Sequence, residues 1–245
     1  MNVLSLAANP GQSLGDENIS KLVGDALPIE DYRGQKILLI VPDHTRTAPV
    51  GLLFKNIHRQ IGEATAALDV MIALGTHPPM DEEAICKRLE ISPEERREEY
   101  AEVQFHNHEW NNPNALREIG VIPASDIAEL SGGRFEMELP VTINRRLFDY
   151  DQIIIVGPVF PHEVVGFSGG NKYLFPGVSG PELLNFFHWL GAVISNPKII
   201  GHKWTAVRKV VDRAGGMVAV DKRCFAMVVR PDKSLAGLFF GTPEI

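Results

Sequence analysis

The sequence predicts an α/β protein: a mostly parallel sheet with flanking helices and a small antiparallel hairpin near the C-terminus. Three observations carry this. The runs KILLIVPD (36–43), LDVMIALGTH (68–77) and DQIIIVGPV (151–159) are short, continuously apolar and closed by Gly or Pro, as strands buried on both faces are. Between the first two, VGLLFKNIHRQIGEA places Leu53, Ile57 and Ile61 four residues apart, on one face of a helix. Strand, helix and strand in that order require a crossover, and hence parallel strands, which is a Rossmann-like arrangement.

The remaining elements follow in order. PMDEEAICKRLEISPEERREEY reads as a charged helix divided into two segments by Pro93, and VQFHNHE (103–109) as another strand. FFHWLGA sets His188 in an aromatic, helical context, where a lone histidine is more often a satisfied core residue than a ligand. WTAVRKVVDRAGG is an amphipathic helix stopped by Gly215 and Gly216. CFAMVVR and LAGLFF are strands that form a hairpin across PDKS. No repeat, low-complexity tract or linker interrupts the chain, so residues 1–245 read as one α/β domain.

Composition narrows the function. At 245 residues with 44% hydrophobic and 22% charged residues, the chain can bury a sizeable core. A net charge of −7 provides no positive field for nucleic acid or an anionic membrane, so a small molecule or a protein is the expected partner. Cys86 and Cys224 are far apart and lack CxxC spacing, which fits a reducing cytoplasm. The first residues, MNVLSLAANPGQSLGDEN, lack the basic and apolar regions of a signal peptide, and no run is long enough to span a bilayer.

Ligands of parallel sheets bind beyond the carboxyl ends of the strands, and polar residues cluster there in sequence. In PDHTRTAP, Arg46 either offers its planar fork to a carboxylate or phosphate or pairs on the surface with Asp43, itself a candidate helix cap. In ALGTHPPM, His77 either lines the crevice or occupies a rigid turn set by Pro78 and Pro79, and the turn is favoured. In FHNHEW, strand alternation puts His106 and His108 on one face, which suits a metal if a third ligand is near, or acid–base work tuned by Glu109.

HEVVGFSGGNKYLFPGVSG (162–180) is the most unusual stretch. GFSGG fits the G-x-S-x-G elbow of a serine hydrolase with Ser168 as nucleophile. However, Pro176 and Gly177 interrupt the helix that must follow, and between Ser168 and His202 there is no aspartate and only Glu182. The better reading is a loop whose amides, at Ser168, Gly169 and Gly170, receive an anion, with Lys172 as a point charge or a covalent attachment site. By itself that reading describes a non-catalytic module for anionic nucleotides as well as an enzyme.

DHTRTAP, ALGTHPPM, NHEW and above all HEVVGFSGGNKYLFPGVSG with His188 beyond it resemble the amino-terminal domain of the nickel-dependent lactate racemase family, over most of the chain. The resemblance implies a racemase or epimerase of 2-hydroxy acids that uses a nickel-pincer nucleotide, a pyridinium-3,5-bisthiocarboxylic acid mononucleotide carrying nickel. It further implies covalent attachment at Lys172, a nickel bond from His188, and His108 and His162 as the acid–base pair. Arg46 would hold the substrate carboxylate or contact the cofactor, Asp43 and Thr45 would lie near the nucleotide, and Ser168, Gly169 and Gly170 would receive cofactor groups. The implied reaction removes the α-hydrogen as hydride, because that hydrogen is barely acidic beside a carboxylate, and two bases on opposite faces of the planar keto acid follow from it. The partners implied are accessory proteins that make the cofactor and a second, carboxy-terminal domain that is expected to be absent here. The chain alone is therefore expected to turn over little substrate, since its crevice would face water. It departs from the family's DDxTRPTP and NHD, reading PDHTRTAP with His44 in the variable slot, and NHEW.

Overall fold

A computed structural model describes residues 3–244 of the chain. In chain order the elements are β1 (Leu4–Ala7), α1 (Asp16–Ala26), α2 (Ile29–Tyr32), β2 (Lys36–Pro42), α3 (Val50–Ile61), β3 (Ala67–Ala73), α4 (Glu82–Arg88), α5 (Pro93–Arg97) and β4 (Phe105–Asn107). They continue with β5 (Leu116–Ile122), α6 (Ala124–Ser131), β6 (Leu139–Asn144), β7 (Gln152–Pro158), β8 (Pro161–His162), β9 (Gly166–Phe167), α7 (Pro181–Ile194), α8 (Ala206–Gly215), β10 (Asp221–Val229) and β11 (Leu235–Gly241).

Seven strands form the main sheet in the order β1-β11-β10-β7-β2-β3-β4. The five from β10 to β4 run parallel, while β11 is antiparallel to both β10 and β1. Continuous apolar runs are needed because both faces are covered. Ile37, Leu39 and Val41 of β2 enter one core with α1, α3 and α4, whereas Leu38 and Ile40 enter the other with α6, α7, α8 and the β5–β6 pair. Leu53, Phe54, Ile57 and Ile61 of α3 are fully buried, as the four-residue spacing requires. Each such side chain contributes about 1.5–3 kcal/mol by leaving water.

The charged helix does divide at Pro93. Ser92 caps the second segment in a reciprocal capping box with Glu95, and Pro93 fills the first turn, where its missing N–H costs nothing. The hairpin of β10 and β11 across 230–234 forms as the pattern indicates. The strand expected over 103–109 is shorter, spanning Phe105–Asn107. The four-residue β1 depends on pairing with the distant β11, and the antiparallel β5–β6 pair, joined through α6, lacks a strong local pattern. No helix among the described residues is long and apolar enough to cross a membrane.

Strand β2 has β3 on one side and β7 on the other, so the strand order reverses between β2 and β7. At such a point the loops leaving the two carboxyl ends diverge and open a crevice.

Candidate active site

A cavity of about 190 Å³ occupies this crevice. Asp43 and Arg46 reach it from the loop after β2, His77 from the loop after β3, His162 and Lys172 from the segment after β7, and His188 from α7. His162 is held by the two-residue ladder of β8 and β9, in which it pairs with Gly166. Gly166 has φ +95°, and a Cβ there would stand 1.9 Å from the His202 carbonyl, so only glycine allows this close crossing.

Asp43 and His77 form a dyad. The buried Asp43 carboxylate accepts the Nδ1–H of His77 at 2.5 Å through one oxygen, and the Thr45 hydroxyl at 2.6 Å and amide at 3.2 Å through the other. Burial alone would raise the Asp43 pKa, but hydrogen bonds from Thr45 and His77 outweigh it and hold the group below the usual carboxylate range. A carboxylate only accepts, so the proton lies on Nδ1 of His77 and Nε2 keeps its lone pair, the arrangement of an oriented general base. Asp43 therefore neither caps α3 nor pairs with Arg46, and His77 belongs to the cleft as well as to its turn. The preference for a purely structural His77 is thus corrected; the buried acid that decides it lies 34 residues away in sequence.

His162 is buried. Its Nδ1 accepts the Val164 amide at 3.1 Å and lies 3.6 Å from the Glu163 carboxylate, so the neutral ring carries its proton on Nε2, which has no protein partner. Burial first, then the positive charge of Lys172, depress its pKa well below the ordinary value, against the opposing pull of Glu163. Lys172 lies in a single tight turn between the buried Asn171 and Tyr173, its ammonium 5.9 Å from the Phe187 ring centroid. Burial, followed by the charges of Arg46 and Arg208, lowers its pKa to about 8, so about a tenth of the amine is neutral and nucleophilic at pH 7. His188 donates Nδ1–H to the Leu184 carbonyl at 2.9 Å, one turn back along α7, which points the Nε2 lone pair away from the helix. That is the hydrogen-bonding state of a metal-ligating imidazole. A nucleophilic amine and a free imidazole nitrogen on one cavity fit a metal-bearing group tethered to the protein. Among the described residues no three His, Cys, Asp or Glu side chains gather as a metal cage.

Other expected site residues lie elsewhere. His108 does not line this cleft, contrary to the acid–base role that the resemblance implies for it. It is buried at 3% exposure, with Nε2 donating to the Ser179 carbonyl at 2.9 Å and Nδ1 accepting from the Asn144 amide at 3.2 Å, so both ring nitrogens are engaged. Burial lowers its pKa to about 4. His106 diverges from it toward Tyr150, at 3.3 Å, because the strand ends at Asn107 and the shared face is lost.

The glycine loop also differs from an exposed anion cradle. Ser168 is buried, its hydroxyl donating to the Pro158 carbonyl and accepting the Phe160 amide, both at 3.0 Å, which fastens the loop to β7 and leaves no nucleophile. Ser168, Gly169 and Gly170 line a separate cavity of about 300 Å³ beside Trp204 and Arg208. Gly169 and Gly170 have φ of +90° and +57°, and a Cβ on Gly170 would lie 2.2 Å from the Pro243 carbonyl. Close packing of protein on protein accounts for these glycines. Thr45 serves the dyad by its bond to Asp43.

The sequence matches the family of the lactate racemase N-terminal domain over residues 17–200. It is 27% identical over 167 residues to the lactate racemase of Thermoanaerobacterium thermosaccharolyticum, covering 66% of this chain and 34% of that one. The structure is similar to that of a Thermotoga maritima protein, with a TM-score of 0.83 and 34% identity over 95% of this chain and 55% of the other. It also shares its fold with the lactate racemase apoprotein of T. thermosaccharolyticum, at a TM-score of 0.69 and 21% identity, covering 95% of this chain and 53% of that one. The chain thus spans about a third of the curated relative's length and about half of each solved relative's. With the match extending over most of its length, the chain belongs to the lactate racemase N-terminal domain family.

Proposed function

We propose that this domain carries the cofactor and the acid–base pair of a 2-hydroxy acid racemase or epimerase, with lactate or a close relative as substrate. The observation that carries the reading is the convergence of His77, His162, Lys172 and His188 on one cavity, each with a reactive nitrogen free of protein partners or activated for attack. Lys172 would attach the nickel-pincer nucleotide and His188 would bind its nickel through Nε2. When bound, that group supplies the hydride acceptor that this chemistry needs.

The chain's residues account for the rest. Arg46 has no hydrogen bond from its guanidinium to the protein among the described residues, and its fork is available for the substrate carboxylate. His77 takes the hydroxyl proton at Nε2, and the Asp43 carboxylate on Nδ1 stabilises the imidazolium that results. His162 would serve the opposite enantiomer through Nε2 once its ring proton sits on Nδ1, directed at the Glu163 carboxylate 3.6 Å away and released from the Val164 amide. Acylation of Lys172 would remove one of the charges that depress His162 and so raise its pKa, with burial remaining the first cause of the depression. Pairing His162 with His77 in place of His108 is what the cleft geometry supports.

The test is co-expression of the complete protein with the enzymes that make the cofactor, followed by intact and peptide mass analysis. An adduct on Lys172, lost in Lys172→Arg, is expected together with racemisation of a 2-hydroxy acid. An unmodified Lys172 beside a functioning cofactor pathway would sink the assignment.

A further inference from the structure

Helix α8 is amphipathic, yet part of its polar side is turned inward. Thr205, which caps it, is followed at spacings of three, four and three by Arg208, Asp212 and Gly215, so the four share one face. Thr205 and Arg208 are buried. That face lies along residues 165–171, the segment between His162 and Lys172. Thr205 Oγ1 donates to the Val165 carbonyl at 3.0 Å, and the Arg208 fork donates to the carbonyls of Phe167 and, at 3.3 Å, of Gly169. Asp212 accepts Nδ2 of the fully buried Asn171 at 3.1 Å. A Cβ on Gly215 would stand 2.5 Å from the Asn171 amide carbon, so a glycine is needed where this side chain meets the helix. Every second residue from 165 to 171 is therefore gripped by α8.

The segment has little stiffness of its own. Gly166, Gly169 and Gly170 all have positive φ, and glycine leaves the backbone the widest choice of conformations. Its shape must come from outside. A buried arginine is no better for stability than an apolar side chain of similar volume, because desolvation offsets its attraction. What the guanidinium supplies is direction, since its rigid plane bonds two carbonyls at once. Those two carbonyls, at 167 and 169, immediately precede the tight turn that carries Lys172.

We propose that Arg208 is a positioning residue for Lys172: with Thr205, Asp212 and Gly215 it makes α8 a splint for residues 165–171 that fixes the lysine amine relative to His162. The assignment takes the importance of that amine from the function proposed above. Its placement is measured without cofactor, so the two fail separately.

The test is acylation of Lys172 by an amine-selective reagent across a pH series, read by peptide mass analysis on the complete protein produced without the cofactor-making enzymes. The wild-type midpoint is expected near pH 8. Arg208→Lys keeps the positive charge, but a single ammonium cannot span both carbonyls; the loosened lysine should regain water and its midpoint rise by about one pH unit. Val211→Ala, which loosens the same helix through its buried apolar face, should lower the melting temperature and leave the midpoint in place. Asp212→Ala should raise the midpoint as well. Loss of a carboxylate can by charge alone only lower a lysine pKa, so a rise reports the released segment. A wild-type midpoint in Arg208→Lys, or an equal shift in Val211→Ala, overturns the assignment. If Arg208→Lys does not fold, the sign of the shift in Asp212→Ala decides, and an unchanged or lowered midpoint overturns it.

Discussion

Replacing His108 by Gln should flatten the dependence of stability on pH between about 6.5 and 4. In the folded chain burial brings the His108 pKa from the ordinary 6.5 to about 4, with its ring hydrogen-bonded on both sides. That displacement corresponds to about 3 kcal/mol of preference for the neutral ring in the fold. The sign follows from proton counting. Between the two pKa values the unfolded chain binds the proton and the folded chain does not, so the stabilisation is complete above about pH 6.5 and is lost as pH falls toward 4. At neutral pH the variant itself should be less stable by about 1–3 kcal/mol, because two buried hydrogen bonds are disturbed. Urea unfolding of wild type and variant, from about pH 7 down to about pH 4.5, measures the gap at each step. His58, His106 and His162 are also depressed, burial being the first cause in each, and they act on both proteins alike. The gap should therefore narrow by up to about 3 kcal/mol on acidification. A gap that stays constant would refute the claim that His108 is a buried neutral imidazole.

Labelling of Lys172 by an amine-selective acylating reagent should reach half its maximal rate near pH 8, while exposed lysines require about two further pH units; peptide mass analysis across a pH series distinguishes them. Arg46→Gln should raise that midpoint, since the Arg46 charge contributes to the depression. In the complete, cofactor-loaded protein, Asp43→Asn should lower kcat by about 10²–10⁴ with the fold retained, because Asn cannot stabilise the charged His77 ring; circular dichroism alongside kinetics separates this from unfolding. Gly170→Ala should cost several kcal/mol or abolish folding, given φ +57° and a Cβ placed 2.2 Å from the Pro243 carbonyl, and a melting temperature equal to wild type would contradict that packing.

The parallel core was legible because its information is local. β2, β3 and β7 are unbroken apolar runs, α3 repeats every four residues, and Pro93 and Gly216 mark boundaries by backbone chemistry alone. β1 and the β5–β6 pair were not legible, since LSLA acquires its partner only when the far end of the chain arrives and LREIGVI has no clean two-residue alternation. Among site residues, Lys172, His162 and Arg46 were candidates from motif and position and His188 only through the family resemblance, and all four line one cavity.

Residue types and periodicity by themselves determined an acidic α/β chain, with reactive side chains at strand ends and a lysine beside a glycine loop. Which histidines share the cleft was decided only by tertiary structure. A ring acquires its role from what touches its two nitrogens: for His77 a buried carboxylate from another loop, for His108 a carbonyl and an amide that leave it no free edge. Those contacts join residues tens of positions apart, so no window of sequence contains them.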